Sequence, residues 1–329
     1  MTAAGTMSAD LPACAVLGSG TMGAQIALSF ALGGARVTLW GRRKDALAPA
    51  LERCRQGFDF LAKHGLADAD QREAVLSRLN ISSDLEQAVA EKGFAIEAVA
   101  EDLALKRDVL SRVEPCVGAD AILSSTTSAI SATQIQSALQ RPENFCIAHY
   151  AQPAHLVELV EVVPGQRSSD RAVAETTRLL GETGKTPVTC PDVPGFLWAR
   201  IQHAVLREFA SLVERGVVTP EACDTILKVG YASRLPAMGS FEHADLAGMD
   251  LMNSPAAKDV WADLSNVTDP EETLVGRLHR QGSLGMKTGS GFYNWTKRDP
   301  EEFKQNRDNE IIRRIKINRG ADVNWHANT

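Results

Sequence analysis

A short apolar run at residues 13–17 drops directly into Gly18-Ser19-Gly20-Thr21-Met22-Gly23. A helix-like stretch follows at 24–32, then a second apolar run at 36–40. Strand, GxGxxG, helix and strand in that order define a βαβ unit built to hold a dinucleotide, whereas the glycine pattern alone is weak. Gly18 permits the tight turn, Gly20 lets a pyrophosphate approach the backbone, and Gly23 lets the helix lie close on the sheet. Thr21 and Met22 open that helix, whose N-terminal amides supply an anion site. The competing reading is an ordinary βα turn that happens to be rich in glycine.

The end of the second run departs from the usual pattern. A site for NAD(H) ordinarily carries an acidic residue there to hold the ribose hydroxyls. This chain has Gly41-Arg42-Arg43-Lys44 instead. A small residue followed by two arginines leaves room and positive charge for a 2′-phosphate. Arg42 and Arg43 therefore favour NADP(H) over NAD(H), unless they belong to the solvated start of the next helix.

Further along, apolar strands and amphipathic helices alternate. Strands are expected near 80–82, 94–99, 121–123, 145–149 and 187–190, with helices between them. Such alternation predicts an α/β fold, a doubly wound, Rossmann-like, mainly parallel sheet. The hydroxyl run Ser124-Ser125-Thr126-Thr127-Ser128 opens from the carboxyl end of one strand, where these sheets bind ligands. After Asp192-Val193-Pro194-Gly195 the pattern turns helical, with a helix over 196–215 stopped by Gly216. Thr219-Pro220-Glu221 then caps another helix. The expected division is residues 1–191 for the cofactor domain and 192–329 for an all-α domain. Residues 299–319 are highly charged and read as a solvated helix, with a subunit contact as the other possibility.

The stretch 146–163, CIAHYAQPAHLVELVEVV, is where chemistry is expected. His149 ends an apolar strand-like run, and Glu161 sits between valines in a second one. An unpaired carboxylate buried in a strand costs several kcal/mol or becomes protonated. Two strands that bring His149 back against Glu161 would remove that cost and hold the imidazole in one tautomer. That is the arrangement of a general base and the group that orients it. Otherwise, Glu161 faces water on an edge strand and His149 is a hydrogen-bonded core residue.

With 329 residues the chain is long enough for two domains with real cores. Its net charge of −6 gives no footprint for nucleic acid or an anionic membrane. No apolar run nears the roughly 20 residues of a membrane span, and the first ten residues lack an export signal. Six scattered cysteines without CxxC spacing read as reduced thiols of a cytoplasmic protein. Cys146, His149 and His155 match no usual zinc spacing, so no metal is expected.

These motifs resemble the 3-hydroxyacyl-CoA dehydrogenase family over roughly residues 12–295. The resemblance is carried by GSGTMG (18–23), EAVAEDLALK (97–106), SSTTS (124–128), the His149–Glu161 stretch, PGFLWAR (194–200), MGSFEHADLAGMD (238–250) and LGMKTGSGFYNW (284–295). It implies an NAD(P)-dependent oxidoreductase for a small-molecule substrate, with a helical C-terminal domain that forms a homodimer. It further implies His149 and Glu161 as the catalytic pair, Ser128 as the contact to the substrate oxygen, and Glu101 and Lys106 at the cofactor. Two positions depart from the pattern. Ala199 replaces an asparagine that contacts the reacting substrate, and Gln152 stands where HFxNP has its asparagine. Either Gln152 supplies the missing contact or the substrate is not an acyl-CoA. The stretch around Arg234 resembles the carnitine and gulonate dehydrogenase branch, in which an arginine there meets a free carboxylate; Arg234 could instead cap its helix or pair with Glu242 or Asp245. Ala199 also leaves open a non-catalytic cofactor-binding or crystallin-like protein on the same fold.

Overall fold

The computed structural model describes residues 11–318. They form two compact units: one runs to Arg200 and resumes at Arg307, and the other is Ile201–Asn306.

The first unit is built on an eight-stranded sheet ordered β3-β2-β1-β4-β5-β6-β7-β8. The strands are β1 (Cys14–Leu17), β2 (Val37–Trp40), β3 (Leu79–Ser82), β4 (Phe94–Glu97), β5 (Ile122–Ser125), β6 (Phe145–Tyr150), β7 (Leu159–Pro164) and β8 (Thr186–Thr189). All neighbours run parallel except β6 and β7. This is the doubly wound α/β fold expected from the alternating pattern. The central strands are buried along their whole length because helices cover both faces. Two buried clusters lie on either side of the sheet, one around Phe30, Phe58 and Phe94, the other around Leu17, Leu110 and Phe145.

The glycine turn joins β1 to α1 (Thr21–Leu32). Gly18 has φ +141°, and a Cβ there would lie 2.4 Å from the Ala98 carbonyl oxygen of the neighbouring strand's exit. A Cβ on Gly23 would lie 1.7 Å from the Gly18 carbonyl oxygen, so helix and turn are in backbone contact. At Gly20 nothing lies within 4 Å, and the turn is open on that side.

The first compact unit extends past β8 as far as Arg200. The reason is anchoring beyond β8. Cys190 and Phe196 are buried in the second cluster. The Asp192 carboxylate accepts hydrogen bonds from the Ala132 and Thr133 amides at 2.9 Å and from the Ser131 hydroxyl at 2.7 Å. Burial opposes ionisation of Asp192, but these donors hold its carboxyl below the usual range. The helix expected from residue 196 starts at Trp198, because Gly195 (φ +75°) and Phe196 (φ +48°) are left-handed.

The charged segment near the C-terminus is a helix, Pro300–Asn318, as read from its composition. It is not uniformly solvated. Ile312 and Ile315 are buried in the first cluster, so the chain returns to complete the first unit. Spacing of two isoleucines three residues apart is a narrow stripe, easily hidden among the surrounding charges.

The second unit is helical. It contains most of Trp198–Glu214, then Pro220–Thr225, Ser240–Ala247, Pro255–Asp263 and Leu274–Arg280. The expected Thr219 cap is present, its hydroxyl accepting from the Ala222 amide. Arg277 reaches Glu214 at 2.8 Å, and the Tyr293 hydroxyl donates to Asp224 at 2.7 Å. No helix among the described residues is long and apolar enough to cross a membrane.

Candidate active site

The one antiparallel pair in the sheet assembles the site. The chain leaves β6, turns back through residues 151–158 and returns as β7, with His149 directly opposite Glu161. Opposed residues on paired strands project from the same face, so the two side chains meet. His149 Nδ1 lies 2.8 Å from Glu161 Oε2, with both residues buried. A carboxylate can only accept, so Nδ1 carries the proton and Nε2 keeps its lone pair. Nε2 in turn lies 3.0 Å from the Ser128 hydroxyl on the loop after β5. Ser128, His149 and Glu161 therefore form one hydrogen-bonded line. Its Ser128 end is exposed and its Glu161 end is buried.

Glu161 has further partners. Its Oε1 accepts from the amides of Leu197 at 2.8 Å and Trp198 at 2.9 Å, where the helix Trp198–Glu214 begins. The Cys190 thiol lies 3.6 Å away. Burial works against the charged form of Glu161, but His149 and the two amides outweigh it and keep the carboxyl below its usual range. Burial pushes the Cys190 thiol up to about 11, with the charge of Glu161 adding to the shift. That cysteine is a proton donor to the carboxylate and no nucleophile. The Phe196 ring stands edge-on to the imidazole, with centroids 5.6 Å apart.

A second network positions Ser128 from the other side. The Glu101 carboxylate accepts from the Ser128 amide at 3.1 Å and from the Thr127 hydroxyl. Lys106 lies 3.2 Å from Glu101 and 2.9 Å from Glu97. Lys106 is buried, and its partner Glu101 is half-exposed. Glu97 is the member that was missed: it ends β4 with no exposure and also accepts from the Ser125 hydroxyl. Burial pushes its carboxyl up, against the pull of Lys106. A carboxylate closing a buried strand was the available signal, the same one that picked out Glu161.

The cofactor residues separate into two groups. Gly18, Gly20, Thr21, Met22 and Gly23 form the turn and the helix start. No side chain caps α1 and no acidic residue lies in its first turn, which leaves its N-terminal amides available to an anion. The cradle thus fits a dinucleotide pyrophosphate. Arg42 and Arg43 behave differently from one another. Arg43 forks onto Asp45 at 2.5 and 3.1 Å, both exposed. Arg42 is exposed and makes no hydrogen bond or ion pair among the described residues.

Gln152 is exposed on the loop between β6 and β7. Ala199 lies in the first turn of the helix that clamps Glu161, and its methyl carbon would sit 3.4 Å from a Cβ at Gly195. Arg234 belongs to the second unit, where it is exposed and pairs with neither Glu242 nor Asp245. Glu242 instead accepts from the Gly239 amide at 2.6 Å. Among the described residues no cluster of three or more histidine, cysteine or acidic side chains could hold a metal ion.

Comparison with known proteins places this geometry in context. Residues 13–193 match the family described as 3-hydroxyacyl-CoA dehydrogenase, NAD binding domain, and residues 195–295 match its C-terminal domain. The 5-formyl-3-hydroxy-2-methylpyridine 4-carboxylate 5-dehydrogenase of Mesorhizobium japonicum is 30% identical over 313 residues, covering 94% of this chain and 98% of that protein. A probable 3-hydroxybutyryl-CoA dehydrogenase of Deinococcus radiodurans is 32% identical over 281 residues, covering 85% and 99%. Among solved structures, a 5-formyl-3-hydroxy-2-methylpyridine 4-carboxylic acid 5-dehydrogenase, described as an NAD+-dependent dismutase, superposes with a TM-score of 0.86. It is 29% identical and covers 95% of this chain and 100% of that one.

Proposed function

Because this chain belongs to the 3-hydroxyacyl-CoA dehydrogenase family and is an NAD-dependent oxidoreductase acting on a CH–OH group, we propose His149 as its general base. The observation that carries this reading is the line Ser128–His149–Glu161. When bound, the nicotinamide cofactor supplies the hydride acceptor or donor, and no residue of the chain needs to. In oxidation, His149 Nε2 takes the hydroxyl proton of the alcohol, and in reduction it returns that proton to the carbonyl oxygen. Glu161, held ionised by its amides, stabilises the imidazolium that forms and fixes the ring. The Ser128 hydroxyl donates to the substrate oxygen. Nothing in the comparisons supports a non-catalytic role.

The substrate we propose is a small free hydroxy carboxylate rather than an acyl-CoA. Two features support it: the pyridine carboxylate named for the relative that spans nearly the whole chain, and the unpaired guanidinium of Arg234. A guanidinium grips a carboxylate through two parallel hydrogen bonds, which a thioester cannot match. Free 3-hydroxy acids and short 3-hydroxyacyl-CoA esters should be assayed side by side. The free acids are expected to give the higher kcat/KM. Arg234→Met should lower that value about tenfold, the loss of a two-pronged, charge-assisted grip on the carboxylate, and leave the thioesters untouched. Preference for the thioesters would overturn the assignment.

NAD(H) binding follows from the N-terminal domain; acceptance of NADP(H) is our proposal and rests on Gly41 and Arg42. With Arg43 held by Asp45, Arg42 is the residue left for a 2′-phosphate. Arg42→Ala is expected to lower kcat/KM with NADP+ about tenfold and to leave NAD+ unchanged. Equal loss with both cofactors would reject that role.

We also propose a homodimer formed through the helical unit. Its surface carries Phe241 at 91% and Trp261 at 76% exposure, with Leu246 and Val229 similarly bare, and side chains of that kind mark interaction surfaces. Six free thiols fit a reducing, cytoplasmic compartment.

A further inference from the structure

The segment Pro194-Gly195-Phe196-Leu197-Trp198 carries more than a chain connection. Gly195 and Phe196 are consecutive left-handed residues, at φ +75° and +48°. Phenylalanine rarely adopts that backbone, and a strained residue persists only where its surroundings hold it. Here the hold is complete burial: the Phe196 ring has no exposure and sits in the cluster beneath Leu17, Phe145 and Cys190. Its amide donates to the Val193 carbonyl at 2.9 Å, closing the turn. The next two amides, freed from helical bonding at the start of a helix, both point at Glu161 Oε1. The same ring presents its edge to His149.

We propose that Phe196 is a positioning residue for the reaction, its buried ring locking the left-handed turn that aims two amides at Glu161 while bracing the imidazole of His149. The inference rests on the reading of His149 and Glu161 as the working pair and says how that pair is held. Oε2 takes the imidazole and Oε1 takes the amides, so the carboxylate cannot rotate without breaking three hydrogen bonds. A loosened turn would withdraw donors from the carboxylate. It would then hold the imidazolium more strongly, and the base would be protonated at a higher pH.

The test compares Phe196→Leu, which keeps an apolar anchor and loses the ring edge, with Phe196→Ala, which loses both. For Phe196→Leu, kcat is expected to fall about tenfold, the scale of a small misplacement near the reacting groups. The KM and Kd for NAD+ should stay put, because the glycine turn is untouched. The acid limb of the kcat/KM profile should move up by about half a pH unit, and further in Phe196→Ala. If Phe196→Ala does not fold, Phe196→Leu decides alone. A lower Tm with unchanged kcat and pH profile would show mere core packing and overturn the proposal. His149→Asn in the same assay separates the two failures: if it remains active, the pair itself is misassigned, whereas an inactive His149→Asn beside an unaffected Phe196→Leu sinks only this inference.

Discussion

His149→Asn is expected to lower kcat by about a thousandfold or more, the upper range for loss of a positioned general base. Asparagine fills part of the imidazole's volume and can still donate a hydrogen bond to Glu161, so β6 and β7 keep their pairing. It cannot accept the alcohol proton at any useful pH. Binding of NAD+ should change by less than about twofold, because the glycine turn lies on β1 and α1, with β4 and β5 standing between β1 and β6 in the sheet. Equilibrium titration of the cofactor by fluorescence, set beside steady-state turnover, separates the two effects. Full activity in the variant would reject the assignment of His149.

Lys106→Met is expected to cost about 3–5 kcal/mol of unfolding free energy, measured by urea denaturation. The lysine is enclosed between Glu97 and Glu101, and Glu97 has no exposure at all. Removing the ammonium leaves a carboxylate buried beside Ser125 with no counter-charge. The pH dependence has a definite sign. Burial already raises the Glu97 carboxyl above its ordinary 4.5 in the native protein, and loss of Lys106 raises it further. A raised native pKa means that the folded state binds more protons than the unfolded one, so stability is lost as pH rises. The deficit of Lys106→Met should therefore be largest at neutral pH and shrink as pH falls toward 4.5. The double variant Glu97→Leu/Lys106→Met, which removes both charges, should recover much of the loss. A single variant as stable as the parent at pH 7 would show that Lys106 does not neutralise Glu97.

Much of this architecture was readable from local signals. Gly18 and Gly23 between a strand and a helix specify their own conformation, because only glycine fits where Cβ would strike Ala98 or Gly18. The His149–Glu161 contact was inferable because a carboxylate between valines demands a partner, and an antiparallel return is the short way to provide one. What escaped notice depended on distant residues. The pairing of Lys106 with Glu97 joins two different elements nine positions apart, and no local pattern announces it. Arg43 forks onto Asp45 two residues on, a pairing that the basic run by itself does not announce. Composition changes at residue 192, whereas the packing of the first unit continues to Arg200. Phe196 offered no pattern at all: a single apolar residue next to glycine does not announce its backbone angle.

The return of the last helix to the first unit bears on how the protein is made. Ile312 and Ile315 join a cluster whose other members all precede residue 181. On a ribosome, the nucleotide-binding half emerges early but waits for residues beyond 307 before that side of its sheet is fully covered. The intervening hundred or so residues are thus threaded into its sequence as a loop is threaded into a seam, and a fragment cut at any point before the final helix would carry an unfinished core.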